Sequence, residues 1–360
     1  MIISNPIAGP ASAALEQLTP TQVTFLQKLP KAELHAHLNG SIPLSLLQTL
    51  ASEYLSQASH DSYSSLNESI KSSLTQLSQP GGPTLTEIYD FFNLFPAIYT
   101  ITSTPDAVRR VTNAVLQIFL DGETPQCTYL ELRTTPRASD SMTREAYLRV
   151  VLEVVESYPA SQVGLIVSLD RKMAQEALED CLAAVIKLRS EKRRIVGIDL
   201  CGYPTSGDLE MFRPYFAQAK KLGLGLTVHI AETTDNTAED TRQLLSFNPD
   251  RLGHATFLNE EAISIVLEKK MCVEICLSSN LLCKTVSNLE FHHISQYLRS
   301  NHPIAICTDD ILPFRTSLLG EYALLLAPAP YGLGLTEDQV RRVGELSLAS
   351  SFRERAPGNH

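Results

Sequence analysis

A chain of 360 residues that is 44% hydrophobic can bury one large core or two ordinary ones. Its formal net charge of -10 disfavours nucleic acid as a partner, since such binders gain affinity by neutralising phosphates with Lys and Arg, and a small molecule is expected instead. Seven cysteines without CxxC spacing suit reduced core thiols, and neither a signal-like N-terminus nor an apolar run of membrane-spanning length is seen, so a soluble cytoplasmic protein with no membrane partner is expected.

After a flanking segment, 1–27, short apolar or β-branched runs alternate with longer stretches of helical periodicity. In chain order the strand-like runs are AELHAHL (32–38), CTYLELRTT (127–135), QVGLIVSLD (162–170), RIVGIDLCG (194–202), GLTVHIAE (225–232), RLGHATF (251–257), CVEICLSSN (272–280) and PIAICTDD (303–310). Eight such runs predict a (β/α)₈ TIM barrel spanning 1–360 as one domain, larger than usual by roughly 100 residues. The excess falls between the first and second strands. There a Ser-rich insertion of about 56–83 is expected to include a mobile loop, having few residues able to bury area. Extra helices follow, and their Phe91, Phe92, Phe95 and Tyr99 are expected to cap one mouth of the barrel.

Polar residues interrupt these runs at their C-terminal ends, where barrel enzymes hold their active sites. His35 and His37 share one face of strand one, because side chains two apart in a strand project alike. Strand five ends with His229 and, three residues on, Glu232; strand six offers His254; strand eight ends with Asp309 and Asp310. Three imidazoles and a carboxylate, His35, His37, His229 and Asp309, are a borderline-soft donor set that suits Zn²⁺, although cobalt or iron can substitute. An ion so held brings the pKa of water near neutrality and supplies a nucleophile, leaving Glu232 and His254 for acid-base work. Each signal alone has a plainer reading. His-x-His can be an accident of packing, His229 or His254 a satisfied core histidine, and Glu232 a helix-start acid. Their conjunction on successive predicted strand ends favours the site.

The set HAHLNGS, YLELRTTPR, GIDLCG, VHIAE, RLGHA, EICLSSN and ICTDD, in this order and spacing, resembles the adenosine deaminase superfamily, and more narrowly its adenosine deaminase-like branch, whose members deaminate N6-methyl-AMP. The resemblance covers about 28–350. It implies a metal-dependent hydrolase barrel with one Zn²⁺ per chain held by His35, His37, His229 and Asp309. It also implies that Glu232 protonates a purine ring nitrogen, that His254 orients the attacking water, and that Asp310 holds the imidazole edge of the base. Gly202 would offer a backbone N–H to the purine, where a side chain would intrude.

Deaminases acting on adenosine usually read HLDG after the second histidine, and this chain reads HLNG. Asn39 can donate to a phosphate that a carboxylate would repel, and Arg137 adds a guanidinium suited to phosphate. Asn39 as a helix cap and Arg137 as a surface cation are the plainer readings of those two residues. By the same resemblance Thr134, Thr135, Pro136 and Asp170 line the substrate site together with His37. Two departures stand out: Tyr99 where branch relatives have His, and ILPFRTSL after the TDD where a KGVF-type turn is more usual. The reading is a zinc-dependent aminohydrolase converting a 6-substituted purine monophosphate such as N6-methyl-AMP to IMP, acting as a monomer. Its alternatives are an adenosine or adenine deaminase and, more distantly, a non-catalytic purine-binding barrel.

Overall fold

Eight strands run parallel in one sheet and follow one another in chain order: β1 (Ala32–His37), β2 (Tyr129–Thr134), β3 (Val163–Asp170), β4 (Ile195–Cys201), β5 (Gly225–Ile230), β6 (Arg251–His254), β7 (Cys272–Ile275) and β8 (Ile304–Ile306). The computed structural model describes residues 6–57, 63–80, 82, 90 and 92–353. The first and last strands meet through a parallel bridge between Ala36 and Asp309, where the His37 N–H donates to the Asp309 carbonyl at 3.2 Å, so the sheet curls into a nearly closed (β/α)₈ barrel. Nearly every strand residue is buried, because helices cover the outside while side chains fill the inside.

The expected strands all exist, and most are shorter than their apolar runs. The largest correction is in the seventh, which stops at Ile275; the following LSSN belongs to a helix, Leu277–Leu282, rather than to the strand. The run was read as a strand because short apolar stretches carry no periodicity that separates the two states. Part of the Ser-rich insertion is helical. It contains an 11-residue helix, Glu68–Ser78, whose N-cap Asn67 accepts from the Ile70 N–H at 2.9 Å and which buries Leu74 and Leu77. Leucines three apart supply the apolar stripe that serine content obscured. Residues 58–62, 81 and 83–89 of the insertion and the segment after it, and Phe91, lie outside the described residues. The helices Phe95–Ile101 and Pro105–Leu120 complete the link to β2.

In the flanking segment, the helices Gly9–Glu16 and Pro20–Lys28 precede β1. The Ala8 N–H donates to the Arg315 carbonyl at 2.8 Å, tying this segment to the turn after β8. All seven cysteines are free, and all but the half-buried Cys283 are buried, as core thiols should be. Among the described residues no helix is long and apolar enough to cross a membrane.

Candidate active site

Strand one does not alternate regularly. Glu33 pairs with Leu130 and Ala36 with Leu132, so three residues of β1 span what two span on β2. This bulge lets His35 and His37 follow Leu34 while still facing the interior. Glu33 then bridges the seam of the barrel, accepting from the His35 N–H at 2.8 Å and the Thr308 N–H at 2.9 Å. Burial pushes its carboxyl up to about 7. Backbone turns aim the other strand ends: Ala231 at φ 49°, His254 at 61° and Asp309 at 60° are left-handed, a conformation costing an ordinary residue roughly 1–2 kcal/mol.

The donor atoms converge. His37 Nε2 lies 3.2 Å from His229 Nε2, and Asp309 Oδ1 is 3.6 Å from His37 Nε2 and 3.7 Å from His35 Nε2. A tetrahedral ion with bonds of about 2.1 Å separates its donors by roughly 3.4 Å, and these distances scatter around that value. His35 Nε2 is buried without a hydrogen-bond partner, an orphan that a cation would satisfy. Its other ring nitrogen is taken: Nδ1 lies 2.5 Å from Glu274 Oε2. Likewise His229 Nδ1 lies 3.1 Å from Asp199 Oδ1 and 2.8 Å from the Leu200 carbonyl. Acceptors at Nδ1 keep the proton there and leave the Nε2 lone pair pointing inward, the arrangement metal-ligating histidines use. Burial, then the positive charge of Arg133 and His229, holds the His35 imidazole well below its ordinary range, and so neutral. The same influences lower His37, with His229 ahead of Arg133. For His229 burial also opposes the charge, but the Asp199 carboxylate outweighs it and raises the pKa. These residues fit a metal ion.

Glu232 and His254 stand beside this cluster, with Glu232 Oε1 3.7 Å from His254 Nε2, which is 4.0 Å from Asp309 Oδ2. The Glu232 N–H is anchored on Asn236 Oδ1 at 3.1 Å, and its side chain is about a third exposed (32%), open to a ligand at the mouth. Asp310 is buried, and burial, followed by the charges of Asp309 and Glu232, raises its carboxyl well above the usual range. The fit is close: a methyl at Gly40 would overlap the Asp310 carboxyl group. Gly202, at φ 101°, leaves room for Asp170, whose Oδ1 would lie 2.7 Å from an added Cβ. Only glycine takes that conformation at no steric cost.

Farther out, the Arg137 guanidinium stands over Tyr99, its carbon 2.9 Å from the ring centroid, and its Nε is buried with no partner among the described residues. Tyr99 therefore does reach the mouth, as a platform for a cation. Asn39 bonds the phenol of Tyr147, which also lies 2.7 Å from Thr134 Oγ1. The buried Thr134 hydroxyl is thus engaged internally, Thr135 Oγ1 sits 3.6 Å from Cys201 Sγ, and Pro136 is buried. The ILPF departure forms a short helix, Ile311–Phe314, whose Leu312 N–H donates to the Gly40 carbonyl at 2.9 Å.

Sequence reasoning missed Tyr147, Gly40 and the layer beneath the cluster. Glu274 on β7 touches His35 of β1, Arg133 of β2, Thr227 of β5 and Arg251 of β6, contacts possible only across the barrel interior. The signal was present: CVEIC, LELRT and GIDLC each place a charge inside an apolar run, which burial tolerates only with a partner.

Comparison with known proteins agrees with this geometry. The family model described as adenosine deaminase matches residues 30–357. A Bos taurus protein named N6-methyl-AMP deaminase is 33% identical over 347 residues, covering 92% of each chain. The apo structure of the N6-methyl-AMP deaminase from Arabidopsis thaliana superposes with a TM-score of 0.78 at 30% identity, covering 92% of this chain and 94% of that one. An Arabidopsis ADAL structure complexed with IMP matches at a TM-score of 0.77 and 30% identity, with the same coverage. An adenine deaminase from Arthrobacter aurescens, 19% identical with a TM-score of 0.71, shares the fold. With the family model spanning most of the chain and the donor cluster of a metal-dependent enzyme at its barrel mouth, the chain belongs to the adenosine deaminase family of hydrolytic deaminases.

Proposed function

We propose that the protein hydrolyses N6-methyl-AMP to IMP and methylamine in the cytoplasm, using one Zn²⁺ held by His35, His37, His229 and Asp309. The observation that carries the reading is the meeting of His35, His37 and His229, with Asp309 3.6–3.7 Å from His37 and His35, beside Glu232 and His254. Three nitrogens and a carboxylate favour zinc over harder ions, which prefer all-oxygen sites. His254 shares a second possible donor group with His35 and Asp309, and we assign it the place beside the ion, within 3.7 Å of Glu232. When bound, the ion supplies Lewis acidity that makes water a competent nucleophile near neutral pH.

The chain's own groups handle the protons. Glu232 donates to N1 of the purine, making C6 electrophilic, and His254 orients the water and stabilises its developing charge. Asp310, whose carboxyl burial and two neighbouring acids raise well above the usual range, is placed to donate to N7, an acceptor that a carboxylate would repel. The Gly202 N–H faces the opposite edge of the base, with Asp170 beside it. The C6–N bond breaks and a C6–O bond forms; of the two protons of water, one ends on N1 and the other on the departing methylamine. Asn39 and Arg137, the latter braced by Tyr99, take the phosphate.

Steady-state assays with N6-methyl-AMP, AMP, adenosine and adenine test the reading. N6-methyl-AMP should have the highest kcat/KM, and faster turnover of adenosine than of either monophosphate would overturn the assignment. The close packing at Gly40 supplies a second prediction. Gly40→Ala displaces Asp310 and should lower kcat/KM at least tenfold (about 1.4 kcal/mol), with zinc content unchanged by metal analysis. Full activity in that variant would remove Asp310 from base recognition.

A further inference from the structure

At the other end of the barrel the chain returns with Ser350 and Phe352. Phe352 enters beneath β4 and β5, where Gly197 and Gly225 face the interior: an added Cβ on Gly197 would lie 2.7 Å from a Phe352 ring carbon, and one on Gly225 closer still. Two glycines on adjacent strands thus leave the space one aromatic ring fills. The Phe352 N–H donates to Glu131 Oε1 at 2.5 Å, and the Arg251 guanidinium carbon stands 3.6 Å from the ring centroid. Arg251 also donates to the Ser350 carbonyl at 3.1 Å and pairs with Glu131 at 2.7 Å.

From there the contacts climb. Arg251 Nε donates to Glu274 Oε1 at 2.7 Å, and Glu274 Oε2 lies 2.5 Å from His35 Nδ1. Only two side chains, both essentially inaccessible to solvent, separate Phe352 from a metal-cluster imidazole. Gly253 leaves the space that the His35 ring occupies, since a Cβ there would meet its Cε1 at 2.8 Å.

We infer that Phe352 is a positioning residue for the metal centre, its ring and N–H fixing Arg251 and Glu131, and through them the Glu274 carboxylate that orients His35. The inference rests on the metal reading above. A carboxylate that must satisfy Arg251, Arg133, Thr227 and His35 at once has one workable placement. Emptying the Phe352 site opens space beside Arg251 and Glu131, whose charges then draw in water, and Glu274 loses its fixed counter-ion. Altering such supporting contacts typically costs 10–100-fold in metal affinity.

The test measures zinc release from the full-length holoprotein to excess chromogenic chelator for wild type, Phe352→Ala, Phe352→Leu and, as a control, Leu77→Ala. Leu77 is buried in the helix Glu68–Ser78, so its truncation lowers Tm without touching the ionic layer. Release should accelerate about 10–100-fold in Phe352→Ala, less in Phe352→Leu, and not in Leu77→Ala. If Phe352→Ala lowers Tm yet releases zinc at the wild-type rate, the ring is only a plug and the inference is overturned. If that variant does not fold, Phe352→Leu decides on the same criterion. A wild-type protein purified without zinc and unable to take it up would overturn the metal reading itself, and the inference with it.

Discussion

Replacing Glu232 by Gln is expected to lower kcat for N6-methyl-AMP about a thousandfold while KM changes little and zinc remains at one per chain. The amide keeps the size of the side chain and a hydrogen-bond donor, so the base can still be held, but it has no proton to transfer to N1. General acid catalysis by a positioned group is worth about 10²–10⁴-fold, and here it coincides with the step that makes C6 electrophilic. Zinc should stay because Glu232 is not among the residues whose donor atoms converge; its near neighbour is His254 at 3.7 Å. Two results count against the role: a loss below tenfold, and a loss of zinc that matches the loss of activity. The second would make Glu232 a ligand, and the proton to N1 would need another source.

The parts legible in the sequence were those whose chemistry is concentrated in few residues. His35, His37, His229, Glu232, His254, Asp309 and Asp310 stand at the ends of apolar runs, and a parallel barrel carries every such end to one mouth. What stayed hidden depends on three-dimensional adjacency. Glu274, Arg133 and Asp199 were visible as charges inside strands, but which imidazole each would orient follows from which strands face across the interior, and no local pattern records that. The bulge in β1 is likewise a property of the pair, since a register shift exists only against β2. Gly40 and Gly253 read as ordinary turn or strand glycines until the Asp310 carboxyl and the His35 ring are found against them. The helix Glu68–Ser78 was lost to composition: serine is a poor helix former, and packing of Leu74 and Leu77 overrides that preference.

The layered arrangement also gives the buried charges a reason to exist. A salt bridge deep in a core is often no more stabilising than an apolar replacement, because desolvation offsets the attraction. Glu274 nonetheless joins two guanidinium groups and an imidazole at the centre of the barrel, with its carboxyl held far below the usual range: burial alone would raise it, and Arg133 and Arg251 outweigh that. Its gain is orientation. A carboxylate whose pKa is held well below its usual range accepts from His35 Nδ1 and leaves the lone pair on Nε2 aimed at the cluster.

Selectivity for a monophosphate should reside in Arg137. Arg137→Ala is expected to lower kcat/KM for N6-methyl-AMP roughly a hundredfold and for adenosine less than about threefold, measured side by side. Charge-assisted hydrogen bonds contribute about 1.5–3 kcal/mol each, so losing a bidentate contact that is partly screened at the mouth corresponds to roughly two orders of magnitude. The chain invests in this guanidinium: it stands over the Tyr99 ring, and its Nε is buried with no partner among the described residues. A cation satisfied by its own fold would gain little from a ligand; this one has donor capacity to spare. Tyr99→Phe keeps the aromatic platform and should change kcat/KM little, whereas Tyr99→Ala removes it and should weaken the monophosphate severalfold, as cation–π contacts of about 1 kcal/mol predict. That outcome would make Tyr99 a brace for Arg137 that need not contact the nucleotide itself. Equal losses for adenosine and for the monophosphate in Arg137→Ala would show that the guanidinium holds the mouth together and does not read the phosphate.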